Sequence, residues 1–275
     1  VKKIKIMGLF KRNPFGHILF LKTWLIRIAG FLTHRRYRHF NQLQIEGSEI
    51  IRSLPDTNVL FISNHQTYFA DVVAMFHVFN AALKGRENNI KNVMYLWNPK
   101  LNMYYVAAKE TMQEGLLPRI LAYAGAITVE RTWRAKGKDV TEKKEVNPND
   151  TENIKIALQD GWVITFPQGT TRSFKPVRKG TAHIILQHRP IVVPIVIDGF
   201  RRSFDRKGLF IKKKGILQSM EIKPPLEIDY DTETVESLVE KIEFAIEQHP
   251  SLLKVIPAEV LEEKRKEDEQ RRWSY

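Results

Sequence analysis

A chain of 275 residues with 43% hydrophobic and 27% charged side chains is globular rather than disordered, and is long enough for one large α/β domain. The lack of cysteine excludes a thiol nucleophile, a thiolate metal site and a disulfide framework. Forty-four lysines and arginines against 31 acidic residues leave a formal charge of +13, which draws the chain to polyanions, either nucleic acid or an anionic lipid surface.

The basic start leads into an apolar stretch with no small-residue cleavage site behind it, so a secretory signal is not expected. Residues 14–33 (PFGHILFLKTWLIRIAGFLT) are the most hydrophobic part of the chain, yet carry His17, Lys22 and Arg27. A spanning helix needs about 20 apolar residues, and each central charge would cost roughly 2.5–3.5 kcal/mol on insertion. The expectation is an interfacial helix whose cationic side chains snorkel to the lipid headgroups. The basic run 34–40 (HRRYRHF) then follows as a juxtamembrane cluster. The bland alternative is a helix docked on the body of a soluble protein. On this reading residues 1–40 form a membrane-association segment, 41–231 an α/β domain and 232–275 a helical tail.

Short β-branched or aromatic runs bounded by turn residues predict strands at 58–63, 103–107, 126–130, 162–166, 191–197 and 220–222. Helical patterns lie between them at 68–83, 116–123, 150–158 and 181–187, with Asp150 as N-cap and Gly161 as stop of the third. This alternation predicts an α/β layered fold, a largely parallel central sheet flanked by helices, with sites at the carboxyl ends of strands. Residues 132–149 read as an exposed polar insertion, and the mixed charge run 262–272 as a solvated helix face.

Four segments after strands could carry chemistry. In SNHQTYFAD (63–71) His65 can take a proton while Asp71 fixes its tautomer, although a capping Asp and a structural His share that spacing. GAITVER (125–131) ends a strand in Arg131, which suits a bidentate phosphate contact or a surface ion pair. FPQGTTRS (166–173) offers close backbone approach at Gly169, hydroxyls at Thr170 and Thr171, and a guanidinium at Arg172; it reads as an anion cradle or a plain Pro-Gly turn. VVPIVI (192–197) is a buried strand whose Pro194 marks an edge, an end or a bulge. The loop 201–214 (RRSFDRKGLFIKKK) interleaves seven cations with aromatics, as a lipid interface, a nucleic-acid surface or a solvated loop would. The remaining histidines show no partner pattern.

In order and spacing these blocks resemble the glycerolipid (lysophospholipid) acyltransferase family, whose pattern is NHxxxxD, G-x-I-x-x-x-R, FPEGTRS and a V-P-[IV] strand. AAKE (107–110) and FKPVRKG (174–180) resemble its lysine-containing and basic segments, and the likeness covers about half the chain. The resemblance implies an acyltransferase in which His65 deprotonates the acceptor hydroxyl, Asp71 orients it, and the oxygen attacks an acyl-CoA or acyl carrier protein thioester without an acyl-enzyme. It implies that Arg131 and Arg172, with Lys109 and Lys179, hold an anionic headgroup in a pocket shaped by Gln168, Gly169 and Thr170. No metal or tightly bound cofactor is expected. The expected partners are an anionic phospholipid surface on the cytoplasmic face of the membrane, a lysophospholipid such as 1-acylglycerol 3-phosphate, and acyl carrier protein as one of the two donors. Nucleic acid is not expected, since no helix-turn-helix, aromatic platform or zinc pattern is present.

Three departures stand out. Five residues rather than four separate His65 from Asp71, so the helix must start later or a residue must loop out. Gln168 replaces the family's Glu, keeping hydrogen bonding but not charge, and raises an amine acceptor or an inactive relative as alternatives. Thr171 is inserted before Arg172.

Overall fold

The computed structural model describes residues 10–113, 115–130 and 148–253. The chain runs α1 (Leu19–Arg38), β1 (Gln42–Glu46), α2 (Ile50–Ser53), β2 (Val59–Ser63), α3 (Ala70–Leu83) and a 3-10 turn (Val93–Trp97). It continues with β3 (Met103–Ala108), α4 (Lys109–Gln113), α5 (Leu116–Ala122), β4 (Ala126–Val129), α6 (Pro148–Asp160) and β5 (Trp162–Thr165). Then come α7 (Lys179–His188), β6 (Ile191–Asp198), α8 (Phe200–Ser203), β7 (Leu217–Ile222) and α9 (Val235–Ala245).

Seven strands form one sheet in the order β1-β7-β6-β2-β5-β3-β4. β2 to β6 are mutually parallel, and β7, antiparallel to β6, carries β1 alongside it in parallel. The sheet is thus largely parallel, with helices on both faces. β2 (VLFIS) is buried along its whole length, as a strand covered on both sides must be. Its side chains alternate between two cores: Val59 and Phe61 join Phe79, Trp162 and Ile195, while Leu60 and Ile62 join Leu158, Val163, Ile185 and Ile242. Pro194 sits within β6, one residue before the antiparallel ladder with β7 begins at Ile195, so its missing N–H falls where pairing with β7 stops.

Several elements differ from expectation, among them the third predicted helix, which begins at Pro148 and so has Asp150 in its first turn rather than at its N-cap. β1 and the first half of β7 are additional strand, the former a short, half-polar edge with little apolar signal. α3 starts at Ala70 rather than 68. α1 spans 19–38 and runs through the basic cluster instead of ending before it.

α1 also corrects the snorkelling expectation. Lys22, Ile26, Gly30, His34 and Tyr37, spaced three and four apart, are its buried face. Lys22 is wholly buried, its Nζ 3.4 Å from the Met103 carbonyl and 4.7 Å from the Tyr104 ring centre. Burial drags its pKa down to about 7, with Asp160 pulling the other way. At the far end, the Tyr37 hydroxyl donates to Ala70 O at 2.8 Å and pins α1 to the start of α3. The opposite face is apolar and open, with Phe20, Leu21, Trp24, Ile28, Phe31 and Leu32 exposed. Among the described residues no helix is long and apolar enough to cross a membrane.

Candidate active site

The carboxyl ends of β2, β3, β4 and β5 open into a cavity of about 480 Å³. His65 enters it directly from β2. Its Nδ1 lies 2.9 Å from Asp71 Oδ2, and its ring stacks on Phe166 with centroids 3.8 Å apart and planes 21° apart. The carboxylate can only accept, so Nδ1 carries the proton and Nε2 is left with a lone pair for the cavity.

Asp71 itself is fully enclosed. Besides His65 it accepts from Gln66 N (2.6 Å), Thr67 N (3.0 Å) and Thr67 Oγ1 (2.6 Å). These donors exist because residues 66–69 stay out of the helix: Tyr68 N and Phe69 N bond instead to Arg206 O and Lys207 O. The delayed start of α3 absorbs the extra residue, and His and Asp still meet.

The surrounding amides hold this end of β2 against β6. Asn64 exchanges two 2.8 Å bonds with the Ile197 backbone, and Gln66 donates to Asp198 Oδ1 at 3.0 Å. Burial works against ionising Asp198, but hydrogen bonds from Gln66 and Gly199 N–H, together with Arg202, outweigh it and hold the carboxyl below its usual range.

The loop after β5 brings Pro167, Gly169, Thr170 and Thr171 to the cavity wall. Gly169 has φ +61°, and a Cβ there would lie 2.6 Å from Arg178 Cζ, so the glycine makes room for that guanidinium. Arg178 precedes α7 and is tied to the loop by its N–H on Pro167 O at 3.0 Å.

His65, Gly169 and Thr170 therefore line the cavity, and Asp71 stands behind His65. Gln168 does not line it: the side chain is buried on the far side of the loop, where Nε2 donates to Lys175 O at 2.7 Å and Gln248 Oε1 at 3.3 Å. Arg172 is exposed outside the lining. Lys109 and Lys179 are likewise at the surface, paired with Glu130 (3.0 Å) and Glu236 (2.6 Å). Arg131 lies outside the described residues. Thr171, read with Thr170 as part of the anion cradle, lines the cavity too, and Arg178, Tyr68, Phe166 and Arg206 line it without having been singled out as site residues. For Arg178 a signal existed: it is the last residue before a helix that follows the Gly169 turn.

A smaller apolar void of about 50 Å³ lies between α1, α3 and α5 and shares Val72 and Tyr105 with the cavity. His77 borders it with both nitrogens engaged, Nδ1 with Tyr95 OH (2.7 Å) and Nε2 with Thr33 Oγ1 (3.0 Å). Burial lowers its pKa to about 3, so the void carries no charge there.

A family model described as acyltransferase matches residues 42–198. The 1-acyl-sn-glycerol-3-phosphate acyltransferase of Cocos nucifera is 26% identical over 205 residues, 74% of this chain and 56% of that protein. The chain thus spans about half the length of this curated relative. Among solved structures, the 1-acyl-sn-glycerophosphate (LPA) acyltransferase PlsC from Thermotoga maritima shares the fold, with a TM-score of 0.51 at 16% identity over 93% of this chain and 89% of that one. The chain belongs to the acyltransferase family.

Proposed function

We propose that this chain moves a fatty acyl group from an acyl-CoA or acyl carrier protein thioester to the free hydroxyl of a lysophospholipid, 1-acylglycerol 3-phosphate, giving phosphatidic acid. The observation that carries this reading is the His65 ring in the cavity with Nδ1 held by Asp71 at 2.9 Å. His65 Nε2 takes the acceptor's hydroxyl proton as the oxygen attacks the thioester carbonyl. The tetrahedral intermediate collapses, the C–S bond breaks, and the imidazolium returns the proton to the departing thiolate. Asp71 stabilises the imidazolium and keeps the tautomer.

Arg178, against Gly169 and Thr170, is the cation we assign to the acceptor's phosphate, because it lines the cavity that Arg172, Lys109 and Lys179 do not. The apolar void, which shares Val72 and Tyr105 with the cavity, offers a lining that suits an acyl chain. The open face of α1, with Phe10 and Trp97 exposed as well, suits an interfacial seat on an anionic cytoplasmic leaflet.

The test is transfer of labelled acyl groups from acyl-CoA and from acyl carrier protein into a panel of lysolipids and aminolipids, with vesicle flotation alongside. Label in phosphatidic acid is the expected result. Label only in an amide product would replace the acceptor, and no label in any product would remove the activity.

A further inference from the structure

The segment after β6 holds seven cations over residues 201–214, and three of them have side-chain contacts that account for them. Arg201 donates to the Thr171 carbonyl, Arg202 pairs with Asp198 at 2.9 Å, and Lys214 lies over the Phe40 ring at 4.9 Å. Arg206 differs. It lines the same cavity as His65, and among the described residues it has no carboxylate partner. Its Cζ is 5.5 Å from the centre of the Tyr68 ring, which limits where the guanidinium can swing.

The backbone beneath Arg206 is held from two sides. Asp205 Oδ1 accepts from Leu209 N and Phe210 N at 2.8 Å each, closing the turn. Arg206 O and Lys207 O accept from Tyr68 N and Phe69 N at 3.2 and 2.9 Å. Gly208, at φ +76°, lies so close that a Cβ would sit 2.5 Å from Ala70 N and 2.8 Å from Thr67 Oγ1. The turn is thus sewn onto the segment that separates His65 from Asp71, and Arg206 travels with the base. β2 lies between β6 and β5, so the turn carrying Arg206 and the loop leading to Arg178 leave the sheet from strands on opposite sides of β2, and both arginines line the cavity.

The reaction proposed above brings two substrates to one imidazole, and each carries phosphate: the acceptor in its headgroup, the donor in its coenzyme or phosphopantetheine arm. A single guanidinium holding the first cannot also hold the second. We propose that Arg206 binds a phosphate group at a site distinct from that of Arg178, so that one anion is held on each side of His65. This rests on the acyl-transfer reading. An arginine suits the role because its planar fork takes two phosphate oxygens at once, which a lysine cannot.

The test compares Arg206→Ala and Arg206→Lys with wild type. The donors are acyl-CoA and the phosphate-free acyl thioester of N-acetylcysteamine; the acceptors are 1-acylglycerol 3-phosphate and phosphate-free 1-acylglycerol. Arg206→Ala is expected to raise KM roughly 10- to 100-fold for the phosphate-bearing member of one pair, with a smaller change in kcat. Its phosphate-free analogue should be unaffected, and Arg206→Lys should recover part of the loss. A rise confined to acyl-CoA assigns the site to the donor, and one confined to 1-acylglycerol 3-phosphate assigns it to the acceptor. Unchanged KM for both, or equal losses with and without phosphate, overturns the proposal. Calorimetric titration with coenzyme A and with glycerol 3-phosphate separates the two ideas. If wild type transfers no acyl group, the acyl-transfer reading fails, while weaker binding of either compound to Arg206→Ala still supports the anion site. Binding that is absent or identical in the two proteins overturns it.

Discussion

Asp71 and Lys22 are both wholly buried, one just past the carboxyl end of β2 and the other beside the first residue of β3. Around Asp71 the backbone N–H groups of Gln66 and Thr67, the Thr67 hydroxyl and His65 all converge. Around Lys22 there is one carbonyl at 3.4 Å and the face of Tyr104. Burial is the same; solvation by the protein is not. A buried ion persists where the chain replaces the water it has lost, and loses charge where it does not. The first arrangement holds its carboxylate in one fixed geometry against His65, whereas the second leaves an ammonium close to neutrality at ordinary pH.

Four variants test this contrast, the largest effect first. His65→Ala removes what the anchored charge is there to orient, and should lower kcat by roughly 10²–10⁴-fold while the melting temperature stays close to wild type. Activity within tenfold of wild type would refute the base role. Asp71→Asn keeps the shape but turns an NH₂ toward converging donors. It should lose about 10²-fold in kcat and, by leaving donors unmet, about 1–3 kcal/mol in chemical denaturation.

Lys22→Met probes the other end. The unfolded lysine holds its proton up to about 10.5, the folded one only to about 7. Between those values the unfolded state binds more protons, so wild-type stability should rise with pH across that window. The slope is at most roughly 1.4 kcal/mol per pH unit. Methionine should flatten this rise, stabilising the protein most below pH 7 and least near pH 10. Parallel denaturation curves for the two proteins across pH would count against a buried ammonium. Gln168→Glu should have the smallest effect. It sets a carboxylate against the Lys175 carbonyl and the Gln248 amide oxygen, costing about 1–2 kcal/mol and leaving KM unchanged. A changed KM would put Gln168 back in the site.

The parallel strands were legible because strands buried on both faces must be apolar throughout, as in VLFIS and WVIT. β1 was not, since QLQIE shows only alternating, half-polar character at a sheet edge. The residue types allowed a His65–Asp71 pair and the family resemblance singled it out, but neither showed the way an extra residue is accommodated. That depends on Arg206 and Lys207, far along the chain, accepting the N–H groups that a helix would have used. Lys109, Arg172 and Lys179 followed motif position, which says nothing about the direction of a side chain. Lys22 was read as reaching for lipid headgroups because periodicity cannot tell which face of α1 the body covers.

Gly169 and Arg178 belong to different segments yet compete for one volume. Any side chain at 169 must displace the guanidinium, and any shortening at 178 relieves that conflict. The two positions therefore cannot vary independently. In a double-mutant cycle Gly169→Ala and Arg178→Ala should cost less together than the sum of their separate losses, the signature of two residues that constrain each other's evolution.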